Sequence, residues 1–115
     1  MILLKGKFLT GLMRVFRIGG MCAWPFILLR SDLTAAEGLI VERHERIHAR
    51  QQLECLLIFF YIIYMFNFIG WLLISFSWRK ACQRTVFEVE AYQNQYDGLY
   101  LSVRKPFAWT RREFS

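Results

Sequence analysis

The order of apolar and polar positions divides the chain into segments of different character. From residue 2 to 18, Phe8, Leu9, Leu12, Met13 and Phe16 fall on one helical stripe, and Lys7, Thr10, Arg14 and Arg17 fall on another. This is the pattern of a basic amphipathic helix, suited to a membrane interface or to a core-facing position. A signal peptide fits less well, because the basic residues are spread through the segment and no small-residue cleavage site follows. Gly19-Gly20 closes the helix. The apolar stretch from Met21 to Leu29 carries Pro25, which limits it to an edge strand. Ser31-Asp32-Leu33-Thr34 offers several helix N-caps, and a helix starting near Ala35 or Leu39 runs through Gln51-Gln52.

From Cys55 to Trp78 the chain is uncharged and apolar. At roughly 24 residues the run is long enough to cross a bilayer. Trp71, Trp78, Arg79 and Lys80 near its end suit interface anchors. Asn67-Phe68-Ile69-Gly70 in its middle is a reversal point, which would turn the run into a hairpin of two short arms. Beyond it, Thr85-Val86-Phe87-Glu88 reads as a capping box opening a helix to about Val103. Lys105-Pro106 ends that helix. Arg104, Lys105, Arg111 and Arg112 then alternate with Phe107, Trp109 and Phe114, a basic and aromatic tail suited to lipid headgroups or to loose docking.

Composition sharpens this reading. The chain has 115 residues, 56% of them hydrophobic and 17% aromatic, with a net charge of +6. That length makes one small domain. Basic charge beside a long apolar run points to a membrane surface and away from nucleic acid, whose binders spread their charge over a polar face. Three cysteines, Cys22, Cys55 and Cys82, sit in apolar surroundings without a C-x-x-C pair. They imply neither a disulfide framework nor a thiolate metal cage, and they suit a reducing compartment.

The chemistry concentrates in His44-Glu45-Arg46-Ile47-His48, an H-E-x-x-H sequence that uses both histidines of the chain. On a helix, His44 and His48 share one face and can offer two imidazole nitrogens to one zinc ion. Glu45 is then placed to activate a water. Catalytic zinc needs a third protein ligand. With histidine exhausted, the acidic residues downstream are Glu54, Glu88, Glu90, Asp97 and Glu113. Gln51 and Gln52 follow His48 by three and four positions and can hold supporting or substrate contacts.

The string Phe87-Glu88-Val89-Glu90-Ala91-Tyr92 following an H-E-x-x-H helix resembles the second motif of the gluzincin zinc metallopeptidases. More closely, His44 to Gln52 and Phe87 to Tyr92 resemble the H-E-x-I-H-x-x-Q-Q and F-E-x-E-A-Y segments of a group of small bacterial, Bacteroidetes-type membrane proteins with no assigned substrate. The likeness covers roughly residues 23–100. It implies Glu88 as third ligand and Ala91 at a small-residue position. A site at the foot of a membrane hairpin would favour a peptide or protein substrate at the bilayer surface. Glu90 stays open as the alternative ligand, because Thr85 could engage Glu88 in the capping box. Tyr92 stands where many membrane members carry Asp; its hydroxyl can bond the ligand carboxylate or donate to an oxyanion.

The expected architecture is mainly α and membrane-associated. It comprises an amphipathic helix over 1–20, a gluzincin-like metal-binding domain over 21–103 with an apolar insertion at 55–78, and a tail over 104–115. A straight helix over the apolar run would be about 35 Å long, and would hold His48 and Glu88 apart. Sharing one ion requires the chain to fold back. Basic residues on both flanks of the run favour a hairpin with both ends on the cytoplasmic side of a bacterial inner membrane. The competing reading is a small membrane-anchored interaction protein with a structural or degenerate zinc site. A chain this short could also need a second copy or a partner subunit to complete a cleft.

Overall fold

Apolar residues on both sides of Pro25 build a hairpin, and the remaining elements gather round one long helix. The computed structural model describes residues 2–16 and 18–110. Arg17 of the amphipathic pattern, and Arg111, Arg112, Glu113 and Phe114 of the tail, lie outside the described residues. Within them the protein is mainly helical, with one small three-stranded sheet.

Strand β1 (Ile2–Leu4) pairs parallel to β3 (Phe26–Leu29), which pairs antiparallel to β2 (Gly20–Ala23). The expected helix over 2–18 is therefore shorter. Helix α1 spans Lys7–Val15, and the residues before Gly6 are extended. Local periodicity could not reveal this, because the partner of β1 lies more than twenty residues away. The single edge strand expected over 21–29 is also corrected. Pro25 occupies the turn, where no ladder donor is needed, and β3 is the central strand. Ile27 and Leu29 of β3, with Cys22, pack against Ala49 and Val41.

Helix α2 (Ala35–Glu54) crosses this sheet. Thr34 caps it, accepting from the Glu37 amide while the Glu37 carboxylate accepts from the Thr34 amide. After a break in which Leu56 and Leu57 adopt positive φ, α3 (Ile58–Ser75) runs unbroken through Asn67 and Gly70. The reversal expected at 67–70 is displaced to Phe76, whose φ is 52°. Gly70 faces open space, and the Asn67 amide oxygen accepts from the Val86 N–H at 3.0 Å. Asn67 thus ties two helices together and does not turn the chain. Ser77 then caps α4 (Trp78–Arg84), and Thr85 caps α5 (Val86–Asn94).

The helix expected from Thr85 to Val103 is two helices. The Asp97 carboxylate accepts from the Leu99 amide in a turn containing Gly98, and α6 (Tyr100–Val103) follows. The turn brings Tyr100 back against α5 and α2, where it packs with Ile47 and Ala91. Phe60, Phe87 and Cys55 form a second apolar cluster joining α2, α3 and α5. Because α3 leads away and α4 and α5 return beside it, His48 and Glu88 end on the same side of the molecule.

Candidate metal centre

Helix α2 presents His44 and His48 one turn apart, both buried. Their Nε2 atoms lie 3.1 Å apart. Helix α5 crosses α2 where Ala91, fully buried, lets it approach Ile47 closely. One turn earlier on α5, Glu88 projects toward both imidazoles. Its Oε1 is 2.6 Å from His48 Nε2 and its Oε2 is 3.3 Å from His44 Nε2. The capping box expected at Thr85 forms only in half. The Thr85 hydroxyl accepts from the Glu88 amide, and the Glu88 carboxylate turns to the histidines.

The other ring nitrogens fix the chemistry of this triad. His48 Nδ1 lies 2.7 Å from the Gln51 amide oxygen. The Gln51 nitrogen donates to the Phe87 carbonyl and to Glu90 Oε1, each at 3.0 Å, so its oxygen can only accept. His48 Nδ1 is therefore the protonated nitrogen. The amide oxygen of Gln95 lies 2.7 Å from His44 Nδ1, where it can accept from the same tautomer. In its neutral form, each imidazole would turn a lone pair from Nε2 toward the Glu88 carboxylate. Three electron-rich atoms meeting at one point need a cation or a proton among them. Donors about 2.0–2.1 Å from a tetrahedral ion stand about 3.3 Å apart, close to two of the separations here, 3.1 and 3.3 Å. The 2.6 Å between His48 Nε2 and Glu88 Oε1 is that of a hydrogen bond sharing a proton, and would have to open on metal binding. His44 and His48, with Glu45 beside them, form a group that could hold a metal ion, and Glu88 faces the same two imidazoles.

Protons answer the same field. Burial opposes the charge of His48, but Glu88, joined by Glu45 and Gln51, holds its imidazole up to about 9. Burial likewise opposes ionisation of Glu88, but the two imidazoles bring its carboxyl down to about 2. Glu45 is buried beside the pair, and its ligand oxygen lies within 4.8 Å of the imidazole donor nitrogens. Burial raises its pKa, against the pull of both histidines, which suits a proton acceptor more than a metal ligand. Glycine at position 20 of β2 makes room for it. A Cβ there would stand 2.6 Å from Val41 and 3.1 Å from the Glu45 Cγ.

Tyr92 lies at the outer edge of the site, 43% exposed. Its ring packs edge-on to His44 with centroids 4.6 Å apart. Burial, the largest influence, pushes its hydroxyl up to about 12, so it remains a donor at neutral pH. Glu90, the alternative third ligand, points away from the histidines. It accepts from the Tyr100 hydroxyl at 2.6 Å and from Arg104 at 2.6 and 3.0 Å. Arg104 also forks onto Glu54, at 2.7 and 2.9 Å. Arg104 is thus buried in an ion network and is no part of an exposed tail. Gln52 clamps the β2–β3 turn, donating to the Cys22 carbonyl and accepting from the Trp24 amide.

Gln95 and Tyr100, and the roles of Arg104 and Glu54, belong to no motif in the sequence. Gln95 follows Glu88 by seven positions, two helical turns along the same face, and this is the one signal that could have found it. Comparison with protein families, with curated proteins and with solved structures found no match.

Proposed function

We propose that the protein is a membrane-associated, zinc-dependent metallopeptidase with His44, His48 and Glu88 as metal ligands. One observation carries this reading: both Nε2 lone pairs and the Glu88 carboxylate converge, with each Nδ1 committed to a glutamine oxygen. Zinc held there supplies Lewis acidity toward a peptide carbonyl and toward water. Glu45 takes the proton of the attacking water and delivers it to the leaving amine. Its raised pKa matches that two-way traffic. Tyr92, protonated at the rim, donates to the oxyanion that develops on the carbonyl.

A second reading has its own support. His44, Glu45 and His48 are all less than a tenth exposed, which suits a structural zinc in a small membrane-anchored interaction protein. Metal analysis with a peptidase assay separates the two. The enzyme reading expects one zinc per chain in the wild type, lost in His44→Ala and in Glu88→Ala. It expects zinc retained with hydrolysis abolished in Glu45→Gln. Zinc binding without hydrolysis by the wild type would favour the structural role, and a zinc-free wild type would remove both.

A further inference from the structure

Helix α3 leaves most of its apolar surface uncovered. Phe59, Ile62, Phe66, Ile69 and Leu73 are between 41% and 68% exposed. Their spacing of three and four residues draws one continuous stripe from end to end of the helix. At about 100° per residue, Phe60, Phe68 and Trp71 fall roughly 140–160° round the helix from the centre of that stripe. These three contact the rest of the molecule, Phe60 with Phe87, Phe68 with Trp78, and Trp71 with Arg84. Ile63, Tyr64 and Asn67 add contacts to the body. The protein body and α4 both lie on one side of α3, and the stripe lies on the other.

This arrangement does not suit a span. With 18 residues, α3 is about 27 Å long. The Val86 amide meets Asn67 at mid-helix, so α5 and the body cover its first half. Only the second half, about 13 Å, runs clear of them, and α4 accompanies it with Arg79, Lys80 and Arg84 exposed. Driving that half into hydrocarbon would carry these cations with it, at a cost of about 2.5–3.5 kcal/mol for each one near the bilayer centre.

We propose that α3 lies flat in one leaflet of an anionic bilayer, with its stripe in the acyl region and the cations of α4 at the headgroups. An interfacial helix sinks about 5–10 Å, and a helix is about 10 Å across. Cations on the opposite flank of α3 therefore stand at headgroup height, and exposed Trp78 joins them. A second copy of the chain is the poorer occupant. Two-fold pairing through the stripe would bring together two chains each carrying a net charge of +6. The ring of His48 contacts Phe60, on the side of α3 away from the lipid. The site therefore stands about one helix diameter, ~10 Å, above the apolar stripe. Its substrates are peptide segments at the level of the headgroups, and not segments inside the hydrocarbon. The orientation rests on the membrane-associated reading and is independent of the metal.

Spin labels at Phe59→Cys, Phe66→Cys and Leu73→Cys, in a Cys82→Ser background, test it in phosphatidylglycerol/phosphatidylcholine vesicles. Depth is read from collisions with oxygen and with a water-soluble nickel chelate. Equal depths at the three positions are expected, with vesicle binding falling at least tenfold in Phe66→Asp/Leu73→Asp and in Arg79→Glu/Lys80→Glu. Depth that changes steadily from 59 to 73 would overturn the flat orientation while keeping the membrane reading. Absence of vesicle binding would overturn both. Labels shielded from both collision partners would show a protein occupant and overturn the proposal. The His44→Ala variant, run in parallel, should give the same depths, so failure of the metal reading leaves this result intact.

Discussion

At the scale of single residues, two glutamine oxygens do the work that a carboxylate does in many metal sites. Gln51 and Gln95 hold the Nδ1 protons of His48 and His44 and so aim both Nε2 lone pairs. Neutral partners fix the tautomer without adding charge to a pocket that already contains Glu45 and Glu88. Gln95 is the better test, because it is only partly buried and makes few other contacts. Gln95→Ala should weaken zinc binding about 10–100-fold and leave the helical circular dichroism unchanged. A competition titration against a chelator of known affinity measures it. The histidines and Glu45 are legible in sequence because one helical turn places them. Glu88 is legible through its motif. Gln95 is not, since a glutamine near a helix end carries no sign of what lies across from it. The Glu90 ambiguity resolves only through Tyr100 and Arg104, which reach it after a turn at Asp97-Gly98 that looks like ordinary helix surface in the sequence.

At the scale of elements, the site depends on how closely α5 crosses α2. Ala91 sits with no exposed surface against Ile47 and Tyr100, and Glu88 is one turn away on the same helix. Ala91→Leu should cost about 1–3 kcal/mol through overpacking. It should also push Glu88 off the histidines, so zinc is lost at temperatures where the protein is still folded. Thermal melts with metal analysis of the same samples check both parts, and full zinc retention would show that the crossing does not set the ligand position. Helix α2 is readable from the H-E-x-x-H spacing and from the turn residues that include Thr34, whereas α3 is read as a broken hairpin and is one unbroken helix. The strand β1 is not readable, because three residues near a terminus become a strand only by pairing with β3. Nor is the reversal at Phe76, since Asn67 and Gly70 are the more turn-prone residues locally. Asn67 is instead taken up by a bond to Val86 that only the returning helix provides.

At the scale of the whole molecule, the fold gathers buried charge into two linked clusters. Arg104 joins Glu54 and Glu90, and Gln51 joins Glu90 to His48. Stability of the metal-free protein should therefore follow pH in a defined way. Glu88, lowered from 4.5 to about 2, contributes stability above its unfolded value that is lost as pH falls through the folded one. His48, raised from 6.5 to about 9, contributes stability below its unfolded value that is lost as pH rises through the folded one. For the Glu88–His48 pair the stability of the metal-free protein should peak between about pH 4.5 and 6.5, and buried Glu45, whose pKa is raised, tilts that optimum toward its acid side. Denaturant midpoints across that range check this, and Glu88→Gln should flatten both limbs. Zinc must displace the shared proton, so its affinity should rise with pH up to the His48 value.

The central claim is that His44, His48 and Glu88 hold one zinc ion together. X-ray absorption at the zinc edge of protein loaded with one equivalent tests it most directly. Scattering from two imidazoles and from light oxygen donors at about 2.0–2.2 Å is expected, with one imidazole lost in His44→Ala. Sulfur scattering at about 2.3 Å, or a shell of oxygens without imidazole, would contradict it.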